Sequence, residues 1–137
     1  MNTFSLRIYE AEDTFLSGDA EMVVIPTVDG EYAIMAGHEN MVFSVVPGKL
    51  KYRMAGQETK IAFVGSGMMR VEDNDVLILT EVAEHPDEID IERARRKEAE
   101  AREAILQKRS IKEYYLAQAS LIRSIGRMRV KNDTSLS

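Results

Sequence analysis

Apolar and polar positions alternate strictly at the start of the chain: Phe4, Leu6 and Ile8 are interleaved with Ser5, Arg7 and Tyr9. A period of two is what results when one face of a β-strand is buried and the other is not. The same alternation recurs over residues 20–28, 32–35, 41–46, 50–54, 59–64, 68–71 and 76–82. Between these runs stand Asp29-Gly30, Pro47-Gly48, Ala55-Gly56 and Asp73-Asn74-Asp75, which supply the positive-φ or Asx-turn chemistry that lets a strand reverse. Gly65-Ser66-Gly67 interrupts a strand pattern with no helix signal after it, and so reads as a bulge or close backbone approach rather than a phosphate loop. Residues 1–85 are therefore expected to form an antiparallel β-sandwich or barrel.

The period changes at His85-Pro86-Asp87. Proline disfavours helix for the residue before it and cannot donate to a strand ladder, so Pro86 divides the chain into 1–85 and 86–137. Residues 90–109 are almost entirely Ala, Glu, Arg, Lys, Ile and Leu without Gly or Pro, which predicts a helix. Ile91, Ala94, Glu98, Ala101 and Ile105 share one stripe, and its alanines allow close approach to a neighbour while burying little area. Ser110-Ile111-Lys112-Glu113 has the form of a capping box and predicts a second helix. Ile111, Tyr115, Leu121, Ile122, Ile125 and Met128 carry that helix to about Arg129, and the polar stretch 131–135 is expected to fray. Gly126 costs this helix roughly 1 kcal/mol relative to Ala. Strands followed by an antiparallel two-helix hairpin make the chain α+β.

Composition narrows the functional classes. The 137 residues include no cysteine and two histidines, His38 and His85, which leaves no disulfide, no thiol nucleophile and no Cys-type zinc site. Neither histidine lies in a metal-ligand spacing, and no nucleophile elbow, Walker segment or dinucleotide glycine motif is present. A non-catalytic protein without metal or required cofactor is expected. Apolar runs reach only five residues, at Tyr32-Ala33-Ile34-Met35-Ala36, against the roughly 20 that a spanning helix needs. The N-terminus lacks a basic and apolar leader pattern, so a cytosolic location is expected. The net charge of −5 conceals an asymmetry: residues 1–85 hold six cations against fourteen carboxylates, net −8, and residues 86–137 hold twelve against nine, net +3. A basic tail on an acidic body fits an anionic partner, but +3 spread over two helices is not a nucleic-acid footprint.

The densest chemistry lies at the junction Glu84-His85-Pro86-Asp87-Glu88-Ile89-Asp90-Ile91-Glu92-Arg93-Ala94. Acids at a helix start offset the macrodipole, and Asp87 or Asp90 can cap it. Capping does not require Arg93 in the first turn, where a cation is unfavourable, nor Arg123 and Arg127 one turn apart on the second helix. In a closed hairpin the end of the second helix returns to the start of the first, and three guanidiniums converge beside Glu84 and Asp90. Such a set can hold nucleotide phosphates in Arg forks while a carboxylate takes an amino group or ribose hydroxyl; salt bridges between helices would use the same residues.

Taken together, Val24-Ile25-Pro26-Thr27-Val28-Asp29-Gly30-Glu31, Gly37-His38-Glu39-Asn40-Met41, Val46-Pro47-Gly48-Lys49-Leu50, Val64-Gly65-Ser66-Gly67-Met68 and Ile89-Asp90-x-x-Arg93-Ala94 resemble the epsilon-subunit family of rotary F-type ATP synthases over nearly the whole chain. The resemblance implies a sandwich of about ten strands docking on the rotor, with a C-terminal regulatory hairpin. It also implies a place on the central stalk between the gamma subunit and the c ring of a proton- or sodium-translocating enzyme, at the cytoplasmic face of a bacterial membrane. Glu31 matches a position that contacts the c ring, and His38 lies in the loop that follows. The hairpin of this family can extend to the alpha/beta hexagon and restrain ATP hydrolysis, and in several bacterial members the folded hairpin binds ATP. Carried over, the contacts for ATP as a regulatory ligand are Glu84, Ile89, Asp90, Arg93, Ala94, Arg123 and Arg127. The chain departs from the family at Ala33, where glycine is usual, at Asn40, where proline is frequent, and at Glu100, where some nucleotide-binding members carry arginine. A free-standing β-sandwich adaptor with a coiled-coil docking hairpin is the alternative.

Overall fold

The alternation of the first half is realised as strands wrapped around one apolar core. The computed structural model describes residues 2–11, 13–107, 111–134 and 136. Its strands are β1 (Phe4–Glu10), β2 (Asp13–Thr27), β3 (Gly30–Ile34), β4 (Met41–Val45), β5 (Gly48–Met54), β6 (Lys60–Val64), β7 (Gly67–Glu72), β8 (Asp75–Thr80) and β9 (Ala83–Glu84). They are followed by a 3-10 turn at Pro86–Glu88 and the helices α1 (Ile91–Gln107) and α2 (Ile111–Asn132). The α+β class stands as expected. The strands number nine among the described residues rather than about ten. The pairing is antiparallel throughout except for β1 against β8, which run parallel with Ser5 opposite Asp75 and Glu10 opposite Thr80. Side-chain alternation has the same period in both kinds of ladder, so the sequence pattern does not distinguish them.

β2 begins seven residues before the run read from the sequence, since Ser17-Gly18-Asp19 looks like a turn but lies within the strand. Its first part pairs with β1, and its second part pairs with β3 and β5. The ladder therefore continues as β4-β7-β8-β1-β2-β5-β6-β9, with β3 on β2. Phe4, Leu6 and Ile8 of β1, Met69 and Val71 of β7 and Ile78 of β8 close on Val23 and Ile25 of β2, Ile34 of β3 and Leu50 and Tyr52 of β5. The two ends of the sheet thus face each other across one core, as in a sandwich. Gly67 is the close backbone approach anticipated at Gly65-Ser66-Gly67: a Cβ there would collide with the Leu79 carbonyl oxygen.

The hairpin is held to this body by α2. Gly126 makes room for the fully buried ring of Phe63, whose Cε1 would lie 2.8 Å from an added Cβ. The glycine that weakens the isolated helix is what seats it on β6. Phe63, Ile89 and Val130 form a small second core with Val82 against it. α1 packs on α2 through small residues, with Ala94, Ala101, Ala117 and Ser124 buried. The bulkier Ile111 and Tyr115, which carry the helical spacing at the start of α2, turn outward at 77% and 64% exposure; wide side chains in the seam would hold the helix axes apart. α2 runs past Arg129 to Asn132, and Lys51 of β5 donates from its Nζ to the Leu136 carbonyl at 3.2 Å. The capping box at Ser110 and the end of the first helix at Arg109 lie outside the described residues.

Tyr52 is 2% exposed, and burial pushes its phenol above the ordinary tyrosine range. The folded value lies above the unfolded one, so this group's stabilising share is complete below about pH 10 and is lost as pH rises through the folded value. Urea titrations across alkaline pH should show stability falling above about pH 10 and that fall reduced in Tyr52→Phe; an equally steep fall in the variant would contradict this.

Candidate functional site

Three local decisions of the chain assemble the junction between sheet and hairpin. Glu84 ends β9, paired opposite Phe63 of β6. Pro86 starts the 3-10 turn, whose last amide bond runs from Ile89 N–H to the Pro86 carbonyl. Asp90 then caps α1, its Oδ1 accepting the amides of Glu92 and Arg93 at 3.1 Å each. Of the two caps open from sequence, Asp90 is therefore the one used. Because α2 returns antiparallel, its last turns lie beside this segment.

Between them is a cleft of about 420 Å³, within the size range of small-ligand sites. Glu84, Asp90, Arg93, Ala94, Arg123 and Arg127 all line it. Ile89 does not: it is 4% exposed and packs with Phe63 and Val130 beneath the cleft. Its side chain seats the hairpin instead of bordering the cleft. Glu88, Lys97, Ser120 and Ser124 also line the cleft and were not picked out by sequence. Lys97 is one turn beyond Arg93, and Ser120 and Ser124 are one turn apart on α2, so helical spacing from the known members was the available signal.

The charges in the cleft are unequally committed. Glu84 holds Arg127 as a fork, with Oε1 at 2.8 Å from Nη2 and 3.0 Å from Nε. The same guanidinium lies 5.3 Å over the Phe63 ring. Arg123 faces Glu81 at 3.6 Å, and Lys131 donates to the Pro86 carbonyl at 3.0 Å. Arg93 and Lys97 form no ion pair among the described residues. Glu100, the departure from the family pattern, is exposed and borders a separate hollow with Glu103, Ala104 and Gln107.

Glu31 and His38 lie elsewhere, at the start of β3 and in the loop that follows it. Glu31 follows Gly30, whose φ of +112° closes the β2–β3 turn, and its carboxylate is 3.3 Å from Lys51 Nζ. His38 Nδ1 is 2.7 Å from the Glu39 carbonyl, and a carbonyl only accepts, so Nδ1 carries the hydrogen and Nε2 receives the Tyr32 hydroxyl at 3.2 Å. The ring leans on Tyr32 and Phe43. Asn40, where proline is frequent, ties this loop to the β7–β8 turn by accepting the Asp73 amide at 2.9 Å. Asn74 does the same from the other side, accepting the Gly37 amide at 2.8 Å.

Against known proteins, residues 3–86 match the beta-sandwich domain family of the ATP synthase delta/epsilon chain, and residues 87–132 match its long alpha-helix domain family. The chain is 37% identical to the ATP synthase epsilon chain of Caldicellulosiruptor saccharolyticus, covering 95% of this chain and 94% of that one. It is also 37% identical to that of Ruminococcus albus, covering 96% and 98%. In structure it resembles a chain of the Euglena gracilis mitochondrial ATP synthase, solved as OSCP/F1/c-ring in rotational state 1, with a TM-score of 0.77 and 24% identity over 92% of this chain and 79% of that one.

The Arg127–Glu84 fork is partly exposed, so its net worth falls from the ~1.5–3 kcal/mol of charged hydrogen bonds toward ~1 kcal/mol. Arg127→Ala also removes the cation–π contact, worth about 0.5–1 kcal/mol more. Amide exchange of α2 should accelerate in Arg127→Ala more than in Glu84→Gln, with the β1 and β8 amides unchanged; equal rates in all three proteins would show that the fork does not hold the hairpin.

Proposed function

The chain belongs to the delta/epsilon family of ATP synthase, and from that membership we propose a non-catalytic subunit of the central stalk whose two parts divide the work. The observation that carries this is the division itself: a sheet closed on one core, and a hairpin attached through a small apolar seat and partly exposed charges. Residues 1–85 are the rotor-docking body, joining the gamma subunit to the c ring, with the loops of Glu31 and His38 toward the c ring. Residues 86–137 are the regulatory arm. Docked, the arm permits turnover; extended toward the alpha/beta hexagon, its basic balance meets the catalytic subunits and restrains ATP hydrolysis. The assembly works at the cytoplasmic face of a bacterial membrane, held there through its partners.

ATP is the regulatory ligand of the cleft in this reading. Four cations and three carboxylates around about 420 Å³ supply both halves of nucleotide recognition: guanidinium forks for phosphate oxygens and carboxylates for amino or hydroxyl hydrogens. A ligand that fits only the docked arm shifts the balance away from the extended form by its differential affinity. The cleft is lined by β9, the 3-10 turn, α1 and α2, and extension of the arm takes these walls apart.

A free-standing adaptor would share the fold but not the partners, so co-purification with gamma distinguishes the two. In the assembled enzyme, removal of residues 87–137 should leave the stalk intact and raise ATP hydrolysis; unchanged hydrolysis would remove the inhibitory role. Calorimetry on the full chain should register ATP binding that Arg93→Ala weakens about tenfold, the scale of one charged hydrogen bond. No heat at millimolar ATP would dismiss the nucleotide role.

A further inference from the structure

We propose that Lys51 is a latch joining the turn that carries Glu31 to the far end of the arm, so that a change at Glu31 is felt at the end of α2. The sheet register brings the parts together. Lys51 of β5 stands opposite Val24 of β2, which in turn stands opposite Ala33 of β3. Directly opposed residues share a face, and Glu31, two residues from Ala33 on β3, lies on that face as well. On its other side Lys51 opposes Ile61, two residues from Phe63, so this is also the face on which Gly126 of α2 is seated. One outer face of the sheet thus runs from the Glu31 turn to the seat of the hairpin.

Lys51 is the one buried cation among the described residues, at 9% exposure. A lysine on an outer strand face ordinarily carries its ammonium into water. This one meets the chain that follows α2 instead: Nζ donates to the Leu136 carbonyl at 3.2 Å, and a Glu31 carboxylate oxygen lies 3.3 Å away. Asp133, at the same end of the arm, faces Lys49 of the same strand at 3.7 Å. Docking of the tail therefore takes water from a positive charge. Such a step is costly unless an opposite charge remains beside it, and Glu31 supplies that charge.

The direction of the coupling follows. With the tail docked, Glu31 offsets the charge that the tail helps to bury; with the tail away, Lys51 returns to water, where an exposed pair counts for little. Glu31 thus favours the docked tail, and by reciprocity the docked tail holds Glu31 against Lys51. A partner's cation that draws Glu31 away leaves the lysine buried with a carbonyl for company, and the tail loosens. The Glu31 side chain is itself 55% exposed, so the effect is a few-fold bias rather than a lock. The coupling stands on this geometry and needs no nucleotide in the cleft; its use in the assembled enzyme rests on the reading of Glu31 as facing the c ring.

The test is amide exchange of the full chain at residues 130–133, where the Asp133 amide is bonded to the Arg129 carbonyl at 2.8 Å, with the β1 and β8 amides as reference. Glu31→Gln, which removes the charge, should speed exchange there about threefold, and Glu31→Lys, which sets a like charge beside Lys51, about tenfold. In a Lys51→Met background, which keeps the length of the side chain without its charge, each Glu31 substitution should change exchange by less than about twofold. Equal acceleration with and without Lys51, or none in either background, would overturn the latch. Acceleration that reaches β1 and β8 equally would also overturn it, as a general loss of stability. These measurements use the free chain, so their failure leaves the stalk reading to be decided by co-purification with gamma.

Discussion

Arg123, Arg127 and Lys131, each one turn from the next on α2, fasten the hairpin to the stretch from Glu81 to Pro86. Everything said of the arm follows from that ladder and the seat beside it. Ion pairs that remain partly in water contribute little individually, about 0–1 kcal/mol, and the apolar seat is confined to Phe63, Ile89, Val130 and Val82. The sandwich core instead draws residues from β1 to β8 and β9. Two levels of cohesion in one chain make partial release of the arm possible without loss of the body. Arg123 and Arg127 also border the cleft, so a change in either alters the attachment and the cleft together.

The seam within the hairpin follows a different rule. Ala94 and Ala101 meet Ala117 and Ser124, so the helices approach closely but bury little area per residue. Ile111, Tyr115, Leu116 and Ile122 are left facing out. On a solitary monomer such exposed apolar residues are a solubility burden, and contiguous ones mark surface that a partner can cover. The hairpin thus sorts its side chains by size, small residues inward and large ones outward.

Much of this was legible in the sequence, for identifiable reasons. Period-two alternation located the body, Pro86 marked the change of regime, and the closed hairpin brought Arg93, Arg123 and Arg127 to Glu84 and Asp90. What escaped was long-range. Nothing local at Ser5 or Asp75 announces that they are parallel neighbours, and Ser17-Gly18-Asp19 carries turn chemistry although the ladder overrides it. Ile89 sits among the polar residues of the junction yet its side chain serves packing, because its burial is decided by Phe63, far away in sequence. Gly126 looked like a defect of α2 until the Phe63 ring beside it was seen. Lys97 and Ser124 escaped because neither stands out by type; only the cleft makes them neighbours.

The parallel pairing of β1 with β8 constrains how the protein is born. The first strand emerges from the ribosome with its second edge unmatched and stays so until residues 75–80 have been made. Native contacts across so many intervening residues form late, since closing the long loop costs entropy before any contact rewards it. Every residue of the arm is synthesised after that point. The body can therefore complete itself during translation while the arm is still emerging, and the arm meets a finished surface.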